Sequence, residues 1–284
     1  MDSLTENIAG QEKLAKLNRR SFIERFVLAL GVCPVSLSLL GRGALAATPA
    51  QSVLDNIEST AVNYPGDGSE LQAYLSHPKG KGPFPGVILI DRYLNLEDHI
   101  RGVSRRLASE GYAVLAVDFL SRQGGTSAFA AGDAQRKALR NVTEAEALND
   151  LGASYQYLDS NPVVKKNDIA IMGFEEGGQK GLLYATTNPK LKAAVIYYGS
   201  APSDDKLAQI QCPVLELVGD KDTRIAPTVP VTQEKMKQLG KSYESKIYPG
   251  VDHVFFDETG ERYNEAATKD SWTLVLGFLK RNLG

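Results

Sequence analysis

Residues 168–178 have the sequence DIAIMGFEEGG, and this stretch decides the fold. Its first half is a short apolar run, which is typical of a strand buried on both faces. Its second half, residues 173–178, has the G-x-Nu-x-G-G pattern of a nucleophile elbow, in which glycines permit a tight strand-to-helix turn around a strained residue. Glu175 occupies the tip of that turn. A glycine pair after a strand also occurs in plain turns and phosphate-binding loops, so the surrounding sequence must decide between these interpretations.

Apolar runs and helical segments alternate on both sides of this stretch. The other apolar runs are 86–90, 112–117, 193–198, 214–218 and 243–248, and helical spacing occurs at 100–109, 134–161 and 268–281. Before them, residues 61–64 and 71–75 alternate in polarity around a turn at 65–68, which predicts a hairpin. The sequence therefore predicts an α/β fold, a doubly wound and mostly parallel sheet flanked by helices, with an N-terminal antiparallel hairpin.

The first 46 residues differ in character from the rest. Residues 18–23, NRRSFI, resemble the twin-arginine export motif, a moderately apolar run follows, and Ala44-Leu45-Ala46 fits a signal peptidase site. The alternative is an amphipathic first helix, which Pro34 within the apolar run disfavours. We expect residues 1–46 to be a twin-arginine-type signal peptide that the export machinery recognises. We expect residues 47–284 to form one domain, periplasmic or secreted.

Composition narrows the class of partner. The chain has 284 residues with a formal net charge of -2, and it has no basic stripe for nucleic acid and no polybasic run for anionic lipid. A small-molecule substrate is the expected partner, with no cofactor and no membrane contact after signal cleavage. Beyond residue 46 the sequence holds one cysteine, Cys212, which precedes Pro213 at the start of a strand. We predict that it is buried and inert, with no internal disulfide.

Two further residues with catalytic potential follow later strands. Asp222 ends the segment Gly219-Asp220-Lys221-Asp222, and His253 ends the segment 248–253. Ligands bind at the carboxyl ends of the strands in such sheets, so we expect both side chains to lie near Glu175. Taken singly, a Gly-x-x-Asp segment is commonly a helix cap and a lone histidine is usually structural. The order nucleophile, acid, histidine is that of α/β-hydrolases, and it predicts Glu175, Asp222 and His253 as a catalytic triad.

Further segments resemble those of a known family, and together they extend from about Leu71 onward. They are DRYLNLEDHIR at 91–101, RRLA at 105–108, EGY at 110–112, DFLSRQ at 118–123, YYG at 197–199, HVFF at 253–256, RYN at 262–264, AA at 266–267 and DSW at 270–272. On these residues the chain resembles the dienelactone hydrolases. The resemblance implies the α/β-hydrolase fold, hydrolysis of a small organic ester or lactone, and oxyanion donors at the backbone N–H groups of Glu176 and Tyr93. It also brings Tyr198 and Arg122 into the vicinity of the site.

Three positions depart from that family's pattern. The family typically has cysteine where this chain has Glu175, glutamate where it has Arg92, and a substrate-binding arginine where it has Asp257. The last change argues against dienelactone itself as the substrate, and Asp257 is predicted to cap the following turn. Because an arginine would stabilise an ionised carboxylate, we predict an ion pair between Arg92 and Glu175. The alternative is a site that has lost activity, with each side chain reaching solvent.

Three functions are compatible with these residues. The first is a hydrolase in which Glu175 is a nucleophile or a base, with Asp222 orienting His253. The second is a catalytically degenerate protein that binds a small ligand, with Arg92 and Arg122 holding a carboxylate. The third is a metal site formed by the triad residues, which a neighbouring arginine would oppose. We predict no bound metal, and the sequence leaves the substrate and the oligomeric state open.

Overall fold

The computed structural model describes residues 56–284, and all structural statements concern that part of the chain. One eight-stranded sheet is formed by β1 (Ile57–Pro65), β2 (Glu70–Pro78), β3 (Phe84–Ile90), β4 (Ala113–Asp118), β5 (Val164–Phe174), β6 (Ala193–Tyr197), β7 (Val214–Gly219) and β8 (Tyr243–Tyr248). The helices are α1 (Asp98–Ser109), α2 (Asp133–Leu139), α3 (Glu144–Ser160), α4 (Glu176–Thr187), α5 (Asp204–Leu207), α6 (Val229–Gln238) and α7 (Glu265–Asn282). The predicted signal peptide and its cleavage site lie outside the described residues.

The strand order is β1-β2-β4-β3-β5-β6-β7-β8. β1 and β2 pair antiparallel, β2 joins the edge of β4 antiparallel, and the remaining neighbours are all parallel. The predicted α/β-hydrolase fold and N-terminal hairpin are therefore confirmed. β4 and β5 lie on opposite sides of β3, so the connections diverge there and open a crevice at the carboxyl ends of β3 and β5. The elbow motif follows β5 and opens onto this crevice.

Successive strand residues point to opposite sides of the sheet. Both faces therefore present apolar side chains, and helices cover both. In β3, Ile88 and Ile90 pack in the core beneath α2, α3 and α4, whereas Val87 and Leu89 pack in the core beneath α1 and α7. All four side chains are fully buried. The parallel strands are consequently held between two apolar layers, which fixes their carboxyl ends as a rigid platform for the loops that carry the site.

The predicted helical region at 134–161 proves to be two helices, α2 and α3, separated by residues 140–143. Thr143 begins α3 with a capping box: its hydroxyl accepts from the Glu146 N–H, and the Glu146 carboxylate accepts from the Thr143 N–H. Satisfying these donors favours a new helix start at Thr143 over a continuous helix. Helices α5 and α6 were absent from the sequence interpretation.

A further prediction concerns a cysteine away from the site. Cys212 is 6% exposed and unpaired, so the prediction that it is buried is confirmed, and burial raises the pKa of its thiol to about 11, which disfavours the reactive thiolate. Within residues 56–284 no helix is both long enough and apolar enough to cross a membrane.

Candidate active site

The turn after β5 is a strained elbow with Glu175 at its tip. Glu175 has φ 47° and ψ -113°, a conformation that L-residues rarely adopt. Its N–H donates to the Tyr197 carbonyl at 2.9 Å, which ties the elbow to β6. Added Cβ atoms at Gly173 and Gly177 would lie 2.3 Å from the backbone oxygens of Gly177 and Asp91, respectively. The motif's glycines are therefore required by close backbone approach between β3, β5 and α4.

Glu175, His253 and Asp222 come together at the carboxyl edge of the sheet in the predicted order. His253 Nδ1 lies 2.6 Å from Asp222 Oδ2, and His253 Nε2 lies 3.3 Å from Glu175 Oε1. The exposed fractions of the three side chains decrease from 28% for Glu175 to 12% for His253 and 4% for Asp222. A catalytic triad requires such a gradient, in which a buried acid orients a histidine toward a group that solvent and substrate can reach.

Asp222 is held by the turn that follows β7. Its Oδ1 accepts from the N–H groups of Arg224 at 3.2 Å and Ile225 at 3.1 Å, while Oδ2 accepts from His253. One carboxylate oxygen thus binds backbone N–H groups and the other binds the imidazole. This fixes the carboxylate in the orientation that a histidine-orienting acid needs, so the Gly-x-x-Asp segment is more than a helix cap.

Both ring nitrogens of His253 face carboxylates. Burial lowers the pKa of the imidazole, but hydrogen bonding to Glu175 and the charges of Asp222 and Glu175 outweigh burial, and the pKa of His253 is raised above 6.5. The imidazolium form is therefore stabilised between two anions. Its two N–H groups then donate outward, one to each carboxylate.

Tyr198 packs against the triad. It is 1% exposed, has φ 42°, and its ring lies 5.1 Å from the His253 ring in an edge-to-face arrangement. Tyr198 also lines a cavity of about 140 Å³. The other residues that line this cavity are Glu175, Glu176, Gln179, Ser200, Arg224 and Ile225. The structure therefore brings Tyr198 into the site as predicted, where it supports the imidazole and limits the cavity.

The predicted ion pair between Arg92 and Glu175 is wrong. Arg92 Nη1 instead forms a short contact with Asp257 Oδ2, and His99 Nδ1 lies 3.5 Å from Asp257 Oδ1. The physical reason is the burial of Asp257, whose side chain is 2% exposed and requires compensation, whereas Glu175 is partly solvated and is satisfied by His253. Arg92 and His99 line a different groove, of about 810 Å³, whose lining includes none of the triad residues.

The Arg92–Asp257 contact joins two of the three positions at which we expect this chain to differ from the family pattern. Asp257 Oδ1 also accepts from the Thr259 N–H at 3.0 Å and hydroxyl at 2.7 Å, which confirms that Asp257 caps the following turn. Burial alone would raise the pKa of Asp257, but these bonds and the charges of His99 and Arg92 lower it.

Arg122 lies outside the triad cluster. Its guanidinium donates to Asp150 Oδ1 at 2.6 Å and to the Asp67 carbonyl at 2.7 Å, on the hairpin side of the sheet. These bonds engage both terminal nitrogens of the guanidinium within the protein, one of them with a buried carboxylate on α3. The proposed pairing of Arg92 and Arg122 as a carboxylate clamp is therefore wrong, because each arginine is engaged by a different protein carboxylate.

The two predicted oxyanion donors differ in availability. Glu176 is the first residue of α4, so its N–H has no acceptor within the helix and lies next to Glu175. The Tyr93 N–H donates to Asp91 Oδ2 at 3.1 Å. Asp91 is 2% exposed, and burial raises the pKa of its carboxyl to about 7. One of the two donors is thus already hydrogen-bonded to a protein carboxyl group.

Arg224 is a site residue that the sequence interpretation missed. Its Nη2 atom lies 3.9 Å from Glu175 Oε1 and 3.5 Å from His253 Nε2. The one signal in the sequence was its position two residues after Asp222, and such a position carries no information about side-chain direction.

Among residues 56–284, no group of three or more His, Cys, Asp or Glu side chains is arranged to hold a metal ion.

A sheet of this order, a strained elbow and an acid–histidine pair in this sequence order define an α/β-hydrolase. The sequence profile of the dienelactone hydrolase family matches residues 71–283. The chain belongs to that family of hydrolases.

Individual relatives agree with this assignment. A protein of Escherichia coli K12 named "Putative carboxymethylenebutenolidase" is 31% identical over 252 residues, covering 84% of this chain and 92% of that protein. A Synechocystis protein of the same name is 31% identical over 238 residues, covering 78% and 95%. The crystal structure of a "Putative Dienelactone Hydrolase" from Klebsiella pneumoniae superposes with a TM-score of 0.73 at 31% identity, covering 79% of this chain and 98% of that one. The likeness therefore extends over nearly the whole of each relative.

Proposed function

We propose that this protein hydrolyses a small organic ester, lactone or related substrate through a Glu175–His253–Asp222 triad. The observation that supports this most directly is the unbroken chain of contacts from Asp222 through His253 to Glu175, at 2.6 and 3.3 Å, with Glu175 at the tip of the elbow. A degenerate site with side chains turned to solvent would have no need of this alignment. The cavity of about 140 Å³ beside Glu175 favours a small acyl group.

For an ester or lactone, Glu175 acts as a general base. A carboxylate that attacked the carbonyl would have to expel an alkoxide far more basic than itself, so the addition would reverse. Glu175 instead takes a proton from water while the water oxygen bonds to the carbonyl carbon and the C=O electron pair moves onto oxygen. Collapse of this intermediate expels the alkoxide, which takes the proton back from Glu175. At a saturated carbon, by contrast, Glu175 would attack directly as a nucleophile and expel the leaving group with its bonding electron pair, and water would then hydrolyse the resulting ester to restore the Glu175 carboxylate.

The other triad members prepare Glu175 for this step. The imidazolium of His253 holds the carboxylate in place through Nε2–H, and Asp222 stabilises the charged ring at Nδ1. The Glu176 N–H donates to the developing oxyanion. Each of these groups has a position on a strand end or helix start, so little reorganisation is needed during the reaction.

The proposal is tested with a panel of activated esters, lactones and haloalkanoates. Wild type is compared with Glu175→Gln, His253→Ala and a control, Glu261→Gln, which alters an exposed glutamate outside the triad and outside the lining of the cavity at Glu175. We expect turnover by wild type and the control, and a loss of about 10²- to 10⁴-fold in kcat for the two site variants. Equal inactivity of all four proteins would overturn the hydrolase proposal and favour a ligand-binding role.

The role of Glu175 as base or nucleophile is separated by isotope labelling. A single turnover in H₂¹⁸O with enzyme in excess puts ¹⁸O into the product when Glu175 is a base. When Glu175 is the nucleophile, the product carries ¹⁶O from its carboxylate, and ¹⁸O enters Glu175 itself. Peptide mass spectrometry of the elbow segment reads this second outcome directly.

We also propose export through a twin-arginine-type signal at residues 1–46. The support is the NRRSFI motif followed by Ala44-Leu45-Ala46. Mass spectrometry of the protein from fractionated cells should find an N-terminus at Ala47 in the exported fraction. Replacing Arg19 and Arg20 by lysine should retain the full-length precursor inside the cell, and export of that variant would contradict the proposal.

A further inference from the structure

Three atoms of the site form a nearly regular triangle. Its sides are 3.3 Å from Glu175 Oε1 to His253 Nε2, 3.5 Å from His253 Nε2 to Arg224 Nη2, and 3.9 Å from Arg224 Nη2 to Glu175 Oε1. The circle through such points has a radius of about 2.1 Å, shorter than a hydrogen bond of about 2.8 Å. One oxygen atom above the plane therefore reaches all three corners at hydrogen-bond distance.

The corners differ in chemistry in a way that suits a water molecule. Glu175 offers a carboxylate oxygen that accepts a proton, and Arg224 offers N–H donors on a permanent cation. A water at the apex donates one hydrogen to Glu175 and accepts from Arg224, so its oxygen carries its remaining lone pair outward toward the cavity. Negative charge that develops on this oxygen as the proton leaves lies next to the guanidinium.

Arg224 is positioned for this task by the triad itself. Its backbone N–H is held by Asp222 Oδ1 at 3.2 Å, the carboxylate that also orients His253. The Arg224 side chain is 64% exposed and has no bidentate partner among the described residues. It is also the one cationic side chain that lines the cavity at Glu175 within residues 56–284. The guanidinium approaches Glu175 and His253 through Nη2, so its other N–H groups can interact with whatever occupies the cavity.

Other cationic side chains and N–H donors near the site are already bound to carboxyl groups of the protein. Arg92 is paired with buried Asp257, and the Tyr93 N–H donates to Asp91. His253 donates to two protein carboxylates. These donors are engaged with protein carboxyl groups, whereas Arg224 lies beside Glu175 and can donate to the oxygen of the attacking water.

We propose that Arg224 is a catalytic residue that, with Glu175, binds the hydrolytic water and stabilises the charge on its oxygen as it attacks, while His253 holds Glu175 in place. This inference rests on the proposed hydrolase function and on Glu175 acting as a base. Glu175 takes one water proton, the water oxygen bonds to the carbonyl carbon, and Arg224 keeps all its protons throughout.

The test measures kcat and KM separately for wild type, Arg224→Ala, Arg224→Lys and the exposed control Arg262→Ala, with a neutral ester that wild type hydrolyses. We expect Arg224→Ala to lower kcat about 10²-fold, in line with loss of one oxyanion-stabilising donor, with a much smaller change in KM. Lysine should restore part of kcat, and added guanidinium at millimolar concentration should partly restore Arg224→Ala, which a structural role for Arg224 does not predict.

The outcomes separate the two proposals. Unchanged kcat in Arg224→Ala, with Glu175→Gln inactive, would overturn the role of Arg224 while the triad stands. A change confined to KM would make Arg224 a substrate-binding residue and overturn the water site. Loss of kcat that neither lysine nor guanidinium restores would equally overturn it. An inactive wild type would reject the hydrolase proposal, and the role of Arg224 with it.

Discussion

His253 is the residue whose chemistry departs most from an ordinary hydrolase histidine. A histidine facing a hydroxyl or thiol has one anionic partner, whereas His253 has carboxylates at 2.6 and 3.3 Å on its two ring nitrogens. A carboxylate at the elbow therefore affects the histidine as well as the elbow. The site favours the imidazolium form of His253, whose pKa is raised, and the triad side chain that lines the cavity is the Glu175 carboxylate.

This predicts that Glu175→Gln lowers the pKa of His253. Without the Glu175 carboxylate, only Asp222 opposes the effect of burial, so the pKa of His253 is raised less than in wild type. The measurement is an NMR titration of the imidazole C–H signals. The chain has three histidines, and His253→Ala identifies the signal that disappears. An unchanged titration in Glu175→Gln, as in the Glu261→Gln control, would contradict the contact.

The same contact has a consequence for stability with a defined sign. A pKa raised in the folded state stabilises the protein fully below the unfolded value of 6.5 and loses that effect as pH rises through the folded pKa. The stability difference between wild type and Glu175→Gln should therefore shrink as pH is raised above 6.5. Urea unfolding across this range measures it, and a difference that grew with pH would oppose the prediction.

The positions of Asp222 and His253 beside Glu175 were predictable from sequence because each follows an apolar strand, and parallel strands end at one edge of the sheet. The partner of Arg92 was not predictable. It depends on which carboxylate is more deeply buried, and Asp257 and Glu175 are not distinguished by sequence pattern. Arg224 was missed for a similar reason, because it lies in a loop whose side-chain directions follow from tertiary contacts.

At the scale of elements, the elbow depends on how closely α4 approaches the end of β3. We predict that Gly177→Ala destabilises the protein by about 1–3 kcal/mol or more, since its Cβ would lie 2.3 Å from the Asp91 carbonyl oxygen. Gly181→Ala is the matched control on the same helix. Its Cβ would meet nothing closer than 3.5 Å, so the expected effect is neutral or stabilising by up to about 1 kcal/mol. Equal effects in chemical unfolding would count against the close approach.

A second prediction concerns the two loops joined by Arg92 and Asp257. Arg92→Ala should lower the free energy of unfolding by about 3–5 kcal/mol, because it leaves the buried Asp257 without its main counter-charge. Arg92→Glu should destabilise at least as strongly, and adding Asp257→Arg should recover part of the loss by restoring a pair of opposite polarity. A double-mutant cycle measures the coupling. Additive effects of the two changes would show that the side chains do not interact.

The exposed ion pair between Arg136 and Asp133 provides the control for this cycle. Its two side chains are 49% and 99% exposed, so Arg136→Ala should have a much smaller effect than Arg92→Ala. The comparison separates the effect of a buried partner from the effect of removing any arginine.

For the whole molecule, the buried carboxyl of Glu216 determines part of the pH dependence of stability. Glu216 lies in β7, is 2% exposed, and accepts from the Tyr243 hydroxyl. Burial raises the pKa of Glu216 from 4.5 to about 7, although the Tyr243 bond opposes this. Between these values the unfolded chain releases a proton that the folded chain retains, so stability falls as pH rises.

Glu216→Gln removes this dependence. Relative to wild type, the variant should gain roughly 2–3 kcal/mol on going from pH 5 to pH 8, whatever its absolute stability, because the amide does not titrate. Thermal or urea unfolding at the two pH values measures the gain. Glu234→Gln, on the exposed face of α6, should run parallel to wild type, and a parallel course for Glu216→Gln would contradict the raised pKa.

The sequence by itself determined the class of fold, the hairpin, the parallel strands and the elbow with Glu175 at its tip. These features are encoded locally, since strand periodicity, glycine spacing and turn residues act over a few positions. Only the tertiary structure decided that Arg92 pairs with Asp257, that Asp91 accepts a hydrogen bond from the Tyr93 N–H, and that Arg224 lies beside Glu175 and His253. Such contacts join loops far apart in the chain, and burial and distance at the carboxyl edge of the sheet select among partners that the sequence leaves equivalent.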